Sequence, residues 1–256
     1  MRFEEAQILA FAAGFGWTLL RVGALFVAMP LFTGHTVPMR VRGILSVMVA
    51  FAILPTLPPM PEVALFSLPG FFIGVQQCLI GAAMGFVMHM VFAAIVFGGQ
   101  SVAYSMGLGF ASLVDPMTGV QVPVIAQFYQ LLATLMFLSL DGHLLLIRLL
   151  ADSFQALPVG FEGLSRNALW ELARWAAKLM AAGMLLSLPL VAALLLINLG
   201  FGVASRAAPQ LNIFSVGFPV SLLLGMLLIR LTLPEVLTLF SGFLNDGYSL
   251  IGRILG

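Results

Sequence analysis

The stretch Ser205-Arg-Ala-Ala-Pro-Gln-Leu-Asn-Ile-Phe-Ser-Val-Gly-Phe-Pro-Val220 places an arginine, a glutamine, an asparagine and two prolines between apolar segments that could otherwise span a bilayer. The prolines remove backbone donors from a helix. At membrane depth the side chains of Arg206, Gln210 and Asn212 need protein or water as partners. A simple membrane anchor has no use for such an interruption, so the stretch predicts a path or a contact between subunits.

The composition predicts the class of protein. Hydrophobic residues make up 61% of the 256 residues and charged residues only 8%, whereas soluble domains carry about 25% charged residues. The chain is therefore predicted to be a polytopic integral membrane protein. Its net charge of +1 offers no basic field for nucleic acid. Cys78 is the single cysteine, which excludes an internal disulfide and a cysteine-based metal site.

Apolar runs predict an all-α fold with about six partly broken helices, at about 20 residues for each crossing. They lie near residues 8–32, 44–57, 70–97, 123–150, 177–200 and 212–233. The second is predicted to be too short to cross alone, because it ends in a cluster of prolines. The pair Asp141-Gly142 is predicted to break or kink the fourth helix. Residues 1–256 are expected to form one membrane domain.

A segment before the fifth helix is amphipathic. Asn167, Glu171, Arg174 and Lys178 recur at spacings of four, three and four, which gathers them on one helical face. The opposite face is apolar, and the segment contains two tryptophans. This pattern predicts a helix at the headgroup boundary of the membrane. Docking to a cytoplasmic partner is the alternative.

The third helix carries a stripe of small residues that includes Gly74, Cys78, Gly81 and Gly85. Gly81 and Gly85 form a small-xxx-small pair, which predicts that another helix approaches closely. Packing within this chain and a seam with another subunit both fit the pattern.

Candidate residues for catalysis are few. His143 beside Asp141 is the best candidate for a metal or proton site, but no other acid or histidine lies at a ligand-like spacing, so a structural role is expected. The chain contains no nucleophile elbow, zinc-protease helix or phosphate-binding loop. It is predicted to be no enzyme and to hold no cofactor.

The connection between the third and fourth helices, residues 98–123, is both glycine-rich and apolar. Loops that face water are polar, whereas this one contains a single charge, Asp115. Its backbone is therefore predicted to be sheltered inside protein, where methionine side chains adapt their shape. An apolar ring that excludes water is one way to gate a wide pore. A packing loop without a gate is the alternative.

Three stretches of this chain resemble the FliR family of flagellar type III export gate subunits: residues 29–42, 98–123 and 206–219. The third stretch is the most specific, and the resemblance extends over nearly the whole chain. It implies a subunit that joins FliP and FliQ, with FlhB as a further neighbour, in a helically arranged gate. That gate would lie in the bacterial inner membrane at the flagellar basal body, in contact with lipid, and would pass unfolded flagellar proteins.

The resemblance also implies that the apparent transmembrane hairpins are raised out of the bilayer plane in the assembled gate, and that an apolar plug lies in its central path. Phe110 is the expected obstruction. The candidate plug residues are Met106, Gly107, Leu108, Gly109, Phe110, Leu113 and Val114. The candidate assembly motif comprises Arg206, Pro209, Gln210, Asn212, Phe214 and Pro219.

Other functions remain open on the sequence. A virulence type III secretion subunit shares a looser version of the pattern. A small-molecule transporter with broken helices would explain the polar interruption, and a pure assembly scaffold would need no gate.

Overall fold

The computed structural model describes residues 5–30, 37–61, 63–108, 124–207 and 213–256. Within these residues it contains seven α-helices, one 3-10 turn and no strand, which confirms the predicted all-α class. The elements are α1 (Glu5–Ala28), α2 (Met39–Ile53), the 3-10 turn Leu54–Thr56, α3 (Leu68–Ser105), α4 (Val124–Ser139), α5 (Gly142–Ala156), α6 (Arg166–Ala207) and α7 (Ile213–Leu255).

In the described part of the chain, five helices are long and apolar enough to cross a membrane, and the bent pair α4 and α5 is a sixth candidate. The prediction of about six apolar, partly broken helices is confirmed. The prediction that the second helix is too short is wrong, since the candidate span Met39–Thr56 has 18 residues. The helix begins at Met39, directly after Pro38, rather than near residue 44.

The predicted break at Asp141-Gly142 is confirmed, with a bend of 66° between α4 and α5. Asp141 has a left-handed backbone with φ 53. A Cβ on Gly142 would lie 2.6 Å from the hydroxyl oxygen of Tyr248 and 2.7 Å from the ring of Phe137. The Tyr248 hydroxyl also donates to the Gly142 carbonyl at 3.2 Å. Packing therefore requires glycine at the bend.

The last two helices are longer than predicted. α6 begins at Arg166, so the amphipathic segment is part of it rather than a separate helix. α7 does not end near residue 233 but continues through Pro234 to Leu255. Val236, Phe240 and Leu244 are buried at intervals of four residues beyond that proline. Such a continuous buried stripe favours helix even where a backbone donor is missing.

The chain forms two compact units. The first contains Met1–Met90, Phe137–Ala176 and Leu244–Gly256, and the second contains Val91–Met136 and Ala177–Phe243. Every passage of the chain from one unit to the other lies inside a helix, not in a loop. The single membrane domain stays a prediction.

In the first unit, the small-residue stripe of α3 packs against α1. A Cβ on Gly81 would collide with the carbonyl oxygen of Arg21. A Cβ on Gly85 would lie 2.6 Å from the Cβ of Ala28 and 2.8 Å from the carbonyl oxygen of Leu25. The glycines thus allow two helix backbones to approach closely. Of the two alternatives for this stripe, the structure shows packing within the chain.

Gly81→Ala is expected to lower the free energy of unfolding by roughly 1–3 kcal/mol, because the added methyl group meets backbone rather than a flexible side chain. Gly200→Ala in α6 is the matched control. Among the described residues, no atom beyond its own stretch of helix lies within 4 Å of its added Cβ, and alanine favours helix over glycine by about 1 kcal/mol. Thermal unfolding of the purified variants measures both. Equal melting temperatures of the Gly81→Ala and Gly200→Ala variants would contradict the close contact between α1 and α3.

Candidate functional site

The first residues of the candidate plug form the C-terminal cap of α3. Gly107 has φ 84, a backbone region that glycine enters without steric cost. The amide of Leu108 donates to the Ala103 carbonyl at 3.1 Å, and the amide of Gly107 donates to the Tyr104 carbonyl at 3.0 Å. These two bonds around a left-handed glycine are a Schellman motif. Gly107 therefore ends the helix at a fixed position.

This cap packs against α7 in the second unit. Met106 is 1% exposed, and its Cε, Cγ and Sδ atoms lie 2.6, 2.7 and 2.8 Å from the Cβ position of Gly225. A Phe218 ring carbon lies 3.1 Å from the Cβ position of Gly107. Both glycines are thus in close contact with the side chain packed against them, so the base of the candidate plug lies directly against α7.

Asn198 of α6 joins the same cap to α7. Its Nδ2 donates to the Ser105 carbonyl at 3.1 Å, and its Oδ1 accepts a hydrogen bond from the Ser221 hydroxyl at 2.8 Å. The Ser105 carbonyl belongs to the last turn of α3, where carbonyls lack partners within the helix. A side-chain amide can donate and accept at once. The sequence analysis missed Asn198, although an amide within an apolar helix is a recognisable signal.

The rest of the candidate plug lies outside the described residues: Gly109, Phe110, Leu113 and Val114. The same holds for three members of the assembly motif, Pro209, Gln210 and Asn212. Of the other members, Arg206 is exposed in the last turn of α6, Phe214 lies in the first turn of α7, and Pro219 is exposed inside α7. The two candidate segments meet at one described point, because Phe218, next to Pro219, lies beside Gly107.

A second polar cluster lies in the first unit, around Arg21, which is fully buried. Its Nε donates to Gln77 Oε1 at 2.8 Å. Its Nη1 donates to the carbonyl and the hydroxyl of Ser153 at 2.9 and 3.0 Å, and its Nη2 donates to the Leu157 carbonyl at 2.8 Å. The Arg21 Cζ also lies 3.9 Å from the centre of the Phe154 ring. One side chain thus connects α1, α3 and α5.

The four hydrogen bonds of Arg21 go to neutral oxygens. Two of these are the Ser153 and Leu157 carbonyls at the C-terminal end of α5, where the helix dipole is negative. The guanidinium group therefore caps the C-terminal end of α5. The negative end of the helix dipole partly balances its positive charge, as a carboxylate would. The sequence analysis missed Arg21, although an arginine inside an apolar span is a strong signal.

The metal candidate gains no support from its surroundings. No group of three or more His, Cys, Asp or Glu residues within the described ranges could hold a metal ion. The Nδ1 atom of His143 is buried and has no hydrogen-bond partner among these residues. The structural hydrogen bonding expected of His143 is therefore not found at this atom.

The sequence profile of the family described as "Bacterial export proteins, family 1" matches residues 12–247. The chain belongs to this family. It is 39% identical over 255 residues to the flagellar biosynthetic protein FliR of Escherichia coli strain K12, a match that covers 100% of this chain and 97% of that protein. It is 36% identical to FliR of Pectobacterium carotovorum, with the same coverage. It is 30% identical to FliR of Bacillus subtilis strain 168, with 82% of each chain covered. The predicted resemblance to the FliR family is confirmed.

In this FliR-family chain, the amphipathic segment that was predicted to lie at the headgroup boundary forms the start of α6, and the chain itself covers the apolar face of this segment. Ala168, Leu172 and Trp175 on its apolar face are buried by the chain itself. The Trp175 Nε1 donates to the Val87 carbonyl at 3.4 Å. The outer face, with Trp170 60% exposed, is the side left for other molecules.

Proposed function

We propose that the chain is a subunit of the flagellar type III protein export gate. With FliP and FliQ it would form the channel through which unfolded flagellar proteins cross the bacterial inner membrane, with FlhB as a further neighbour. The full-length match to FliR proteins carries the proposal and supports a component of the flagellar export apparatus. The five apolar helices support a location in the inner membrane.

The candidate plug supplies a physical basis for gating. A seal across a wide conduit needs an apolar segment that stays attached when it moves. Its base, Met106 to Leu108, is fixed by the Schellman cap and by its packing against α7. The apolar residues of the sequence beyond this base, including Phe110, would then close the path.

The assembly motif supplies the proposed contact with the other gate subunits. Arg206 is exposed at the end of an otherwise apolar stretch of α6, and an arginine there needs water or a polar partner. We expect neighbouring subunits to cover Arg206 and Pro219, in a gate whose hairpins are raised out of the bilayer plane.

Affinity purification of the tagged chain from membranes that also contain FliP and FliQ tests this function. The three proteins are expected to elute as one complex. Arg206→Leu is expected to lower the yield of that complex, since each buried polar group left unpaired costs roughly 1–3 kcal/mol. Arg40→Leu, which changes an exposed arginine of α2, is the control.

A purified chain that carries neither FliP nor FliQ would overturn the gate proposal. Specific binding of a small solute by that chain would instead favour a transporter. Swimming motility of cells that lack the chain distinguishes a flagellar role from a virulence role, because only the flagellar role requires it for swimming.

A further inference from the structure

The first turns of α6 present an exposed surface that we call the α6 basic face, formed by Arg166, Asn167, Trp170 and Arg174. The Arg174 Cζ lies 5.4 Å from the centre of the Trp170 ring, within the range of a cation–π contact. A cavity of about 500 Å³ opens at this face, lined by Arg166, Asn167, Leu169 and Trp170. The face therefore combines cations, an amide and an exposed aromatic ring.

The charges around this face leave its two arginines in excess. The Glu171 carboxylate lies 4.0 Å from the Arg253 guanidinium, so these two charges partly compensate each other. Glu162, in the loop before α6, is the other acid in this part of the sequence. Among the described residues, neither Arg166 nor Arg174 forms an ion pair, so both remain available to a group with negative charge.

The position of the face along α6 places it at a membrane boundary. Residues 179–205 of the same helix contain no charged residue. At 1.5 Å per residue this stretch extends about 40 Å, enough to cross the hydrocarbon core. Arginine and tryptophan at the end of such a stretch are typical of the headgroup region. Because the opposite side of these turns is buried, the basic face is turned outward.

We propose that the α6 basic face binds the headgroup of an anionic phospholipid. The planar guanidinium groups of Arg166 and Arg174 present several N–H donors to phosphate oxygens, and the Trp170 ring suits the boundary between headgroups and acyl chains. The site is separate from the gate segment, and it belongs to the chain while α6 crosses the bilayer, before assembly raises the hairpins out of the bilayer plane in the proposed gate.

The tryptophans make this face directly observable. Of the three in the chain, Trp17 is 0% and Trp175 5% exposed, whereas Trp170 is 60% exposed. The full-length chain is placed in phosphatidylcholine nanodiscs that contain a small fraction of spin-labelled lipid, either phosphatidylglycerol or phosphatidylcholine with the same acyl-chain label. The emission difference between the wild type and Trp170→Phe isolates Trp170. We expect both labels to quench it, the anionic one several-fold more strongly.

Arginine variants locate the binding groups. Each arginine near an anionic surface contributes about 1 kcal/mol, so Arg166→Gln and Arg174→Gln should each reduce the preference for the anionic label about fivefold. Arg40→Gln should leave the preference unchanged. Equal quenching by the two labels in the wild type would overturn the headgroup site. Absence of quenching by either label would show that water or protein covers the face, and it would overturn the proposal too. A preference that survives both arginine substitutions would place the site elsewhere.

Discussion

Arg21→Met is expected to lower the free energy of unfolding by roughly 1–3 kcal/mol for each buried acceptor that it leaves without a partner. Methionine has a similar length but no donor. Its introduction would leave Gln77 Oε1 and the carbonyls of Ser153 and Leu157 without the hydrogen bonds that Arg21 now donates. Buried acceptors without partners are costly. The C-terminal end of α5 would also lose a cation that complements its dipole.

Two further variants separate the causes of this effect. Arg21→Lys keeps the charge but not the planar fork, so it should recover only part of the lost stability. Arg21→Met with Gln77→Leu removes one stranded acceptor but leaves the Leu157 carbonyl without the hydrogen bond from Arg21, so it should remain destabilised. The Ser153 carbonyl keeps the hydrogen bond that the Leu157 amide donates to it. Arg40→Met, at an exposed position of α2, is the control. Thermal unfolding of the purified chains gives the melting temperature of each variant. Equal melting temperatures for Arg21→Met and Arg40→Met would contradict a stabilising role of the Arg21 cluster.

The sequence was sufficient where a structural feature depends on composition or on one local residue. The abundance of apolar residues predicted the all-α membrane class, and Asp141-Gly142 predicted the break between α4 and α5. The predicted end of the last helix near residue 233 was wrong, because a buried stripe beyond Pro234 keeps α7 helical.

The polar clusters could not be predicted because their members are distant in sequence. Arg21 binds carbonyls 132 and 136 residues away, and Asn198 binds a carbonyl 93 residues away. An arginine in an apolar helix indicates that some partner exists, but the partner depends on how the helices pack.

Gly107 shows a related limit at the candidate plug. The sequence analysis placed it inside an apolar, glycine-rich connection that begins at residue 98. In the structure it has a positive φ and closes the Schellman cap of α3. Movement of the plug would therefore begin beyond Leu108, which changes the design of a deletion that tests it.

Removal of residues 109–114 is expected to raise the ion and small-solute permeability of cells that make the complete gate well above background, while assembly persists. A conduit wide enough for an unfolded chain leaks at rest unless its narrowest zone is dry. The deletion removes Phe110 and its apolar neighbours but keeps the cap at Gly107 and the contact between Met106 and α7. Phe110→Ala should have the same effect in milder form, because it removes one ring from the seal.

The controls for this deletion distinguish a lost seal from a damaged base. Asn198→Ala removes the hydrogen bonds to Ser105 and Ser221 but leaves residues 109–114 in place, so it should affect stability more than permeability. Conductance of the cell membrane is compared among variants whose complexes with FliP and FliQ are recovered in equal yield. Conductance at background in an assembled deletion variant would show that the segment only packs, since a plug cannot be removed from an open path without a leak.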